Sequence, residues 1–256
     1  VTTNNSLSYS VVIAAYNAEQ DIKKKIDNLI AIKNKNSERD IQIIIVSDAS
    51  TDSTASIVKQ YADYGIEFYE YSDRQGKEYA QIEGLKKANG DIIIFTDVAA
   101  NADDNCISVL DRVFSDKDIG AVSSVDQYFQ EKNPSLLTFE KLYIRYEMWL
   151  RSMESQRSGL IGMSGSYMAV RKDVTKGMGL DTCSDFWLAL NAKRLGYRCV
   201  QANDLICHYS PVLTEKSNIE RRARTVSKGI MGFWHNRRML NPVKYPLYAF
   251  QLFSHK

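Results

Sequence analysis

Three aspartates in this chain, Asp48, Asp97 and Asp185, stand in sequence contexts that suit catalysis. Asp97 ends an apolar, β-branched run, where its carboxylate can hold a divalent cation that bridges two phosphates. Asp48 and the nearby Asp52 can accept hydrogen bonds from the base and ribose of a nucleoside. Asp185 follows a short polar loop and opens a helical pattern, a position where a carboxylate can act as a general base.

Each of these carboxylates also has a purely structural interpretation. Asp52 and Asp185 can cap helices, and Asp97 can be a turn residue. Considered singly, no residue decides between the two interpretations. Their joint placement at one edge of a sheet would favour chemistry, and that placement depends on the order of the elements.

The first hundred residues alternate apolar, β-branched runs with helical patterns. Strands are predicted over Val11–Ala15, Ile41–Val46, Ile66–Tyr71 and Asp91–Thr96, and helices over Ile22–Ile32, Ser53–Tyr64 and Lys77–Ala88. This alternation predicts an α/β fold with a mostly parallel, Rossmann-like sheet covered by helices. Ligands of such sheets bind at the carboxyl ends of the strands, where Asp48 and Asp97 both lie.

The second half of the chain has a less regular pattern. Helices are predicted over Leu136–Glu154, Asp185–Leu195 and Ile219 to about Trp234, and strands near Gly162–Val170, Tyr197–Gln201 and Leu205–Cys207. We therefore divide residues 1–215 into two halves, 1–104 and 105–215. Residues 216–256 form a basic, amphipathic C-terminal segment.

Charge is unevenly distributed along the chain, although the net charge is only +2. Residues 216–256 contain nine basic residues and one acidic residue, so this segment carries +8 and residues 1–215 carry −6. Basic and aromatic residues together are typical of segments that bind anionic lipid surfaces. No run is long and apolar enough to span a bilayer and no signal peptide opens the chain, but its apolar end predicts a hydrophobic region beyond Lys256.

Several other kinds of site find no support in the sequence. The four cysteines form no Cys-x-x-Cys pair, so neither structural zinc nor a disulfide framework is predicted. The lack of Gly-x-Gly-x-x-Gly after the first strand disfavours a dinucleotide site, and the lack of a phosphate-loop motif excludes that class of nucleoside triphosphatase. One basic helix on an acidic body is weak evidence for nucleic-acid binding, and no such partner is predicted.

Six segments, in order, resemble family 2 glycosyltransferases. They are Val11–Glu19, Val46–Thr54, Gly76–Asp97, Ser164–Arg171, Ser184–Arg198 and Arg221–Thr225, the last resembling the Gln-x-x-Arg-Trp element of membrane-bound synthases related to cellulose and hyaluronan synthases. The resemblance implies the GT-A fold, in which residues 1–104 would be the nucleotide-sugar-binding half and residues 105–215 the acceptor-binding half. It also implies inverting transfer of a sugar from a nucleoside diphosphate sugar, with UDP the expected nucleotide, to a hydroxyl of a saccharide or lipid-linked acceptor. The expected setting is bacterial surface polysaccharide or glycolipid assembly at the cytoplasmic face of the cell membrane.

The resemblance also assigns roles to single residues. Asp185 would be the general base, and Asp97 would hold Mg²⁺ or Mn²⁺ on the diphosphate. The expected nucleotide-binding residues are Ala15, Tyr16, Asn17, Glu19, Asp48, Asp52, Lys77 and Thr96. The expected acceptor-binding residues are Gly165, Ser166, Ser184 and Trp187. The departing diphosphate would be stabilised by Arg221, Arg222 and Arg224, since guanidinium groups suit phosphate geometry.

Two departures from the family pattern matter. Ala99 stands where the usual Asp-x-Asp metal motif has its second aspartate. The alternatives for a second metal ligand are Asn101, Asp103, Asp104, His208 or water, and for His208 a plain loop histidine is the simpler interpretation. Arg221 and Thr225 stand where the synthase element has Gln and Trp, so transfer of one or a few sugars is expected rather than processive synthesis.

Two other function classes stay open at this point. A sugar-phosphate nucleotidyltransferase shares the broad fold, but it needs an early Gly-rich, basic loop that Ala14–Asn17 does not provide. A catalytically weak or inactive, membrane-associated nucleotide-binding scaffold is favoured by Ala99. The joint presence of Asp48, Asp97 and Asp185 with the arginine cluster at residues 221–224 argues against that scaffold.

Overall fold

The computed structural model describes residues 7–128, 146, 149–209 and 226–255. Its strands are β1 (Tyr9–Ala15), β2 (Ile41–Asp48), β3 (Ile66–Tyr71), β4 (Ile92–Thr96), β5 (Ala100–Ala102), β6 (Ile119–Tyr128), β7 (Tyr167–Arg171) and β8 (Arg198–Tyr209). Its helices are α1 (Ile22–Lys35), α2 (Thr54–Lys59), α3 (Lys77–Lys87), α4 (Cys106–Phe114), α5 (149–157), α6 (Ser184–Arg194), α7 (226–235) and α8 (Pro246–His255).

All eight strands form one sheet in the order β3-β2-β1-β4-β7-β6-β8-β5. The strands β3, β2, β1 and β4 are parallel, as the sequence predicts. Beyond β4 the sheet is mixed, because β7 is antiparallel to both of its neighbours and β5 is antiparallel to β8, whereas β6 and β8 are parallel. The carboxyl ends of β1, β2 and β4 therefore share one edge.

Helices cover both faces of this sheet because its strands are apolar on both sides. Val11 and Ile13 of β1 belong to one buried cluster together with residues of α1 and α4, whereas Val12 belongs to a second cluster with residues of α3 and α6. Gly84 lets α3 approach closely, since a Cβ atom there would lie 2.4 Å from Cγ1 of Val12. This close approach sets the position of the N-terminus of α3 over the edge of the sheet.

The C-terminal helices pack onto the rest of the chain. A third buried cluster joins Met239, Tyr248 and Leu252 to Phe186 and Leu190 of α6. Within the described ranges, no helix has both the length and the apolarity needed to cross a membrane.

Some elements differ from the sequence predictions. The helix predicted over Ser53–Tyr64 ends early at Lys59, and a 3-10 turn over Ala62–Tyr64 then leads into Gly65, whose φ is +70°. The two strands predicted within residues 197–207 are one strand, β8. The sequence did not predict β5, α4, β6 or α8. The helix predicted over Leu136–Glu154 is described only at 146 and from 149, and the predicted basic helix only from 226, so the remainder of each lies outside the described residues.

Candidate active site

The shared edge of β1, β2 and β4 gathers most of the predicted nucleotide-binding residues. Ala15, Asp48 and Thr96 are the last residues of these three strands, and all three are buried. Tyr16 and Asp97 directly follow β1 and β4. The parallel order of these strands brings the residues together, as the sequence predicts.

Four residues converge above this edge, and we call Lys77, Asp97, Gly165 and Asp185 the Gly165 cluster. Nζ of Lys77 lies 2.5 Å from Oδ1 of Asp97 and donates to the carbonyl of Gly165 at 3.4 Å. A Cβ atom at Gly165 would lie 3.7 Å from Oδ2 of Asp185 and 3.9 Å from Nζ of Lys77. The predicted general base and the predicted metal-binding carboxylate therefore face one small space, together with a cation.

The charge of Lys77 is maintained by its neighbours. Its side chain is 40% exposed, and the partial loss of its hydration would lower the pKa of its ammonium. The carboxylate of Asp97, and more weakly that of Asp185, raise the pKa above its ordinary value. Lys77 is therefore a cation at neutral pH. A cation at this position can bind a phosphate as well as a carboxylate.

Asp185 lies in the first turn of α6 but is not the N-cap of that helix. The N-cap is Cys183, and α6 begins at Ser184. Oδ1 of Asp185 accepts a hydrogen bond of 2.8 Å from the backbone N–H of Phe186, whereas Oδ2 is the oxygen that faces Gly165. Its carboxylate is thus held at one oxygen and directed into the Gly165 cluster with the other.

Asp48 is only 4% exposed and holds the loop that precedes α3. Its Oδ1 accepts from the N–H of Gln75 at 2.8 Å, and its Oδ2 accepts from the N–H of Gly76 at 2.7 Å. Gly76 has φ of +104°, a value that suits glycine. Asp48 therefore positions the residue directly before Lys77, and its predicted contact with a nucleobase stays a prediction.

Asn17, Glu19 and Asp52 join the loop after β1 to the loop after β2. Oδ1 of Asn17 accepts from the N–H of Thr51 at 2.8 Å, and Oδ2 of Asp52 accepts from the N–H of Glu19 at 3.0 Å. Oδ1 of Asp52 accepts from both the N–H and the hydroxyl of Thr54, the first residue of α2. Asp52 precedes the N-cap of α2, which is Ser53, and its side chain holds the first residue of that helix. Its predicted contact with a nucleotide stays a prediction.

Tyr16 is 40% exposed, and the guanidinium of Arg74 lies 3.8 Å from its ring centroid. Sequence reasoning missed Arg74. The signal available was a basic residue in the polar loop after β3, at the same edge of the sheet as Tyr16. An exposed ring beside a guanidinium offers two planar groups on which a nucleobase can stack.

The predicted acceptor-binding residues differ in accessibility. Ser166 and Ser184 are buried, and Oγ of Ser166 lies 2.7 Å from Oγ of Ser164. Gly165 and Trp187 are partly exposed. A molecule above the Gly165 cluster can therefore reach Gly165 and Trp187 more directly than the two serines.

The four protein residues considered for a second metal ligand line one cavity. Nε2 of His208 is 2.8 Å from Oδ1 of Asp103, and His208 pairs with Asn101 across the ladder of β5 and β8. Asn101, Asp103, Asp104 and His208 all line a cavity of about 540 Å³ that Asp97 does not line. Among the described residues, no three His, Cys, Asp or Glu side chains are grouped as a metal site would need. The predicted Arg221, Arg222 and Arg224 lie outside the described residues.

Comparison with known proteins decides the family. The sequence matches the family described as Glycosyl transferase family 2 over residues 10–179, which is more than half of the chain. The chain belongs to glycosyltransferase family 2. The matched range includes the edge of the sheet and three members of the Gly165 cluster, and it ends shortly before Asp185.

Similar proteins agree with this family. The poly-beta-1,6-N-acetyl-D-glucosamine synthase of Staphylococcus aureus is 28% identical over 114 residues, which are 44% of this family 2 chain and 27% of that synthase. The chain thus spans about a quarter of the length of this relative.

Two solved structures share the fold of this family 2 chain. The mannosyltransferase PcManGT from Pyrobaculum calidifontis, in complex with GDP-Man and Mn²⁺, has a TM-score of 0.74 and 23% identity, over 92% of this chain and 65% of that one. Glucosyl-3-phosphoglycerate synthase from Mycobacterium tuberculosis, in complex with Mn²⁺, UDP and phosphoglyceric acid, has a TM-score of 0.60 and 19% identity, over 89% and 78%. The GT-A fold implied by the sequence is confirmed.

Proposed function

We propose that this chain transfers a sugar from a nucleoside diphosphate sugar to a hydroxyl group of a saccharide or lipid-linked acceptor, with inversion at the anomeric carbon. The observation that carries the proposal is the Gly165 cluster. It combines a carboxylate directed into open space, a second carboxylate and a cation at the carboxyl edge of parallel strands. Membership of glycosyltransferase family 2 identifies glycosyl transfer as the reaction in which these groups would take part.

Asp185 serves as the general base in this proposal. Its Oδ2 accepts the proton of the acceptor hydroxyl while that oxygen bonds to the anomeric carbon. The bond between the anomeric carbon and the diphosphate oxygen breaks at the same time, and the electron pair leaves with the diphosphate. Attack opposite the leaving group inverts the anomeric configuration.

The leaving diphosphate requires positive charge. Lys77 supplies one charge from within the Gly165 cluster, and Arg221, Arg222 and Arg224 are proposed to supply more. Mg²⁺ or Mn²⁺ typically binds through one or two carboxylates together with substrate phosphates. Asp97 fits that requirement, because its carboxylate follows a strand at the edge of the sheet and its side chain is 42% exposed. When bound, the ion would neutralise part of the diphosphate charge.

A first experiment tests nucleotide binding. The chain is titrated calorimetrically with UDP, GDP and TDP, each with and without Mn²⁺. We expect one nucleotide to bind, more tightly with Mn²⁺, and we propose that it is UDP. The solved structures above contain either GDP-Man or UDP. A preference for GDP would therefore change the proposed donor but not the proposed type of reaction. Binding of none would contradict the proposal.

The second experiment tests the base. Asp185→Asn should lower release of the nucleotide from its sugar donor, in the presence of acceptor, by about 10²–10⁴-fold while nucleotide binding stays unchanged. The control is Asp181→Asn, an exposed aspartate in the preceding loop. A wild-type chain that binds nucleotide but transfers nothing to any acceptor would instead support the scaffold interpretation that Ala99 favours.

We also propose that α7 and α8 bind an anionic membrane surface. Val226, Ile230 and Trp234 are exposed at helical spacing along α7, and Trp234 is 65% exposed. Phe250 and Phe253 of α8 are exposed too, while Tyr248 and Leu252 are buried against α6.

The segment between these two helices is basic. It contains Arg237, Arg238 and Lys244, whose positive charge suits anionic headgroups.

Vesicle flotation tests this surface. The wild type should float with anionic vesicles at low salt and much less with neutral ones or at high salt. Trp234→Ser combined with Phe250→Ser should abolish flotation, whereas Tyr64→Ser, at an exposed tyrosine remote in sequence from α7 and α8, should not change it. Equal flotation with neutral and anionic vesicles would contradict the proposal.

A further inference from the structure

Lys25 is a lysine with no exposed surface, and it lies on the buried face of α1. Lysines are almost never fully buried unless an acidic group pairs with them. Within the described residues, no carboxylate lies within ion-pair distance of Nζ of Lys25. That atom instead donates to the hydroxyl of Thr96 at 2.8 Å and to the carbonyl of Ala100.

The two acceptors of Lys25 flank Asp97 along the chain. Thr96 is the last residue of β4 and Ala100 is the first of β5, so one ammonium fixes both ends of the turn that carries Asp97. The hydroxyl of Thr96 donates onward to the carbonyl of Ser166 at 2.9 Å, and the N–H of Asp97 donates to the same carbonyl at 3.0 Å. Lys25 is therefore linked to the backbone on both sides of the Gly165 cluster.

The network continues from Ser166 to a carboxylate. Oγ of Ser166 lies 2.7 Å from Oγ of Ser164, and the hydroxyl of Ser164 donates to Oδ2 of Asp126 at 2.5 Å. The N–H of Ser164 also donates to the hydroxyl of Ser123 at 2.8 Å. Hydrogen bonds to the carbonyl and to the hydroxyl of Ser166 thus connect Lys25 on one side with Asp126 on the other.

Stability alone does not account for this arrangement. A buried ammonium loses its hydration, and an apolar side chain of similar volume usually stabilises a core at least as well. The lost hydration lowers the pKa of Lys25 to about 8, although the carboxylate of Asp97 opposes this shift. At neutral pH the ammonium still carries its charge, close behind the turn of Asp97.

We propose that Lys25 is a positioning residue for the transfer site, which fixes the turn at residues 96–100 so that Asp97 presents its carboxylate to a metal-bound diphosphate. This inference rests on the proposed function. Lys25 itself touches neither donor nor acceptor. Through the position of Asp97, Lys25 determines how much a divalent ion raises the affinity for the nucleotide.

The test measures affinity for UDP by calorimetry, with and without Mn²⁺, in Lys25→Met and in the wild type. We expect the variant to keep the affinity measured without Mn²⁺ and to lose about 10–100-fold of the affinity measured with it. A purely structural role would change both affinities alike, or neither. Lys24→Met is the matched control, because Lys24 is the exposed neighbour on the same helix.

Lys25→Gln provides a second variant, in which a shorter, uncharged amide replaces the buried ammonium. It should show the same selective loss, and it decides the question if Lys25→Met does not fold. If either variant folds and Mn²⁺ still raises its affinity for UDP as much as it does in the wild type, the inference is overturned. A wild type that does not bind UDP or another nucleoside diphosphate with Mn²⁺ would contradict the proposed function instead.

Discussion

Gly165 lies beside the side chains of both Asp185 and Lys77. A Cβ atom there would be in ordinary contact with both, at 3.7 and 3.9 Å. The further methyl groups of a valine would occupy the space into which Oδ2 of Asp185 is directed. Gly165→Val should therefore lower transfer by about 10²-fold, because a displacement of about 1 Å near the reacting atoms has that effect.

The measurement is donor turnover at saturating nucleotide sugar, together with the thermal midpoint. The φ of Gly165 lies outside the left-handed range, so a valine there meets no backbone strain of that kind. Gly179→Val is the control, since nothing lies within 4 Å of a Cβ atom at Gly179. Unchanged turnover in Gly165→Val would show that the reacting atoms lie elsewhere.

Lys25 also predicts a dependence of stability on pH. Its pKa is lowered from 10.5 to about 8 in the folded chain. Between these two values the unfolded chain binds more protons at this residue than the folded chain does, so the folded state is favoured increasingly as pH rises. The unfolding free energy of the wild type, minus that of Lys25→Met, should therefore increase from pH 7 to pH 10. A constant or falling difference in denaturant titrations would contradict the lowered pKa.

The position of a single residue was predictable where the few residues around it in sequence determine that position. Asp48 is the last residue of a buried strand and Asp97 directly follows another, and this alone placed them at the edge of the sheet. Lys25 is part of a run of three lysines that resembles a solvated face, although its spacing from Ile22 and Leu29 places it on the buried side of α1. Its partners Thr96 and Ala100 are some seventy residues away in sequence, so only the folded chain identifies its contacts.

At the scale of elements, α7 is docked against the segment that carries Asp185. A Cβ atom at Gly232 would lie 2.8 Å from Cδ1 of Phe186 and 3.2 Å from Cγ2 of Thr182. Nζ of Lys228 forms an ion pair of 2.5 Å with Glu78, the residue after Lys77. One helix thus contacts both sides of the Gly165 cluster.

Substitutions at the two glycines of α7 should therefore have opposite effects. Gly232→Ala should destabilise the chain by about 1–3 kcal/mol through overpacking, and it should lower turnover more than nucleotide binding. Gly229→Ala meets open space and should stabilise the chain by about 0.5–1 kcal/mol. Denaturant unfolding gives both values. Equal effects of the two variants would mean that α7 does not pack on Phe186 in solution.

The elements were predictable to different extents for physical reasons. The buried strands β1, β2 and β4 are continuous apolar runs that tertiary context cannot reassign easily. By contrast, β5 has only three residues, and its strand conformation depends on pairing with β8. The helix predicted over Ser53–Tyr64 was too long because Gly65, in the left-handed conformation, ends a separate 3-10 turn.

For the whole molecule, a hydrogen-bonded group around Asp111 ties three regions together. The hydroxyl of the fully buried Tyr9 donates to Oδ1 of Asp111 at 2.7 Å, and Arg39 donates twice to Oδ2. This group joins β1, α4 and the loop before β2. Asp111→Ala leaves the Tyr9 hydroxyl without its acceptor and should lower the unfolding free energy by about 1–3 kcal/mol.

Urea titration of Asp111→Ala measures this loss. Asp63→Ala, at an exposed aspartate, is the control and should change the unfolding free energy by less than about 0.5 kcal/mol. Adding Tyr9→Phe to Asp111→Ala should restore part of the loss, because no buried hydroxyl then lacks an acceptor. Additive losses in the double variant would exclude the proposed coupling.

The strand order has a consequence for how the chain can be divided. The proposed nucleotide-sugar-binding half contributes β4 and β5, yet β4 pairs with β7 and β5 pairs with β8 of the other half. A gene split after residue 104 would encode two fragments that each carry open strand edges. Neither fragment is expected to be soluble alone, whereas co-expression should allow them to reassemble. We therefore expect residues 1–104 and 105–215 to fold together as one cooperative unit.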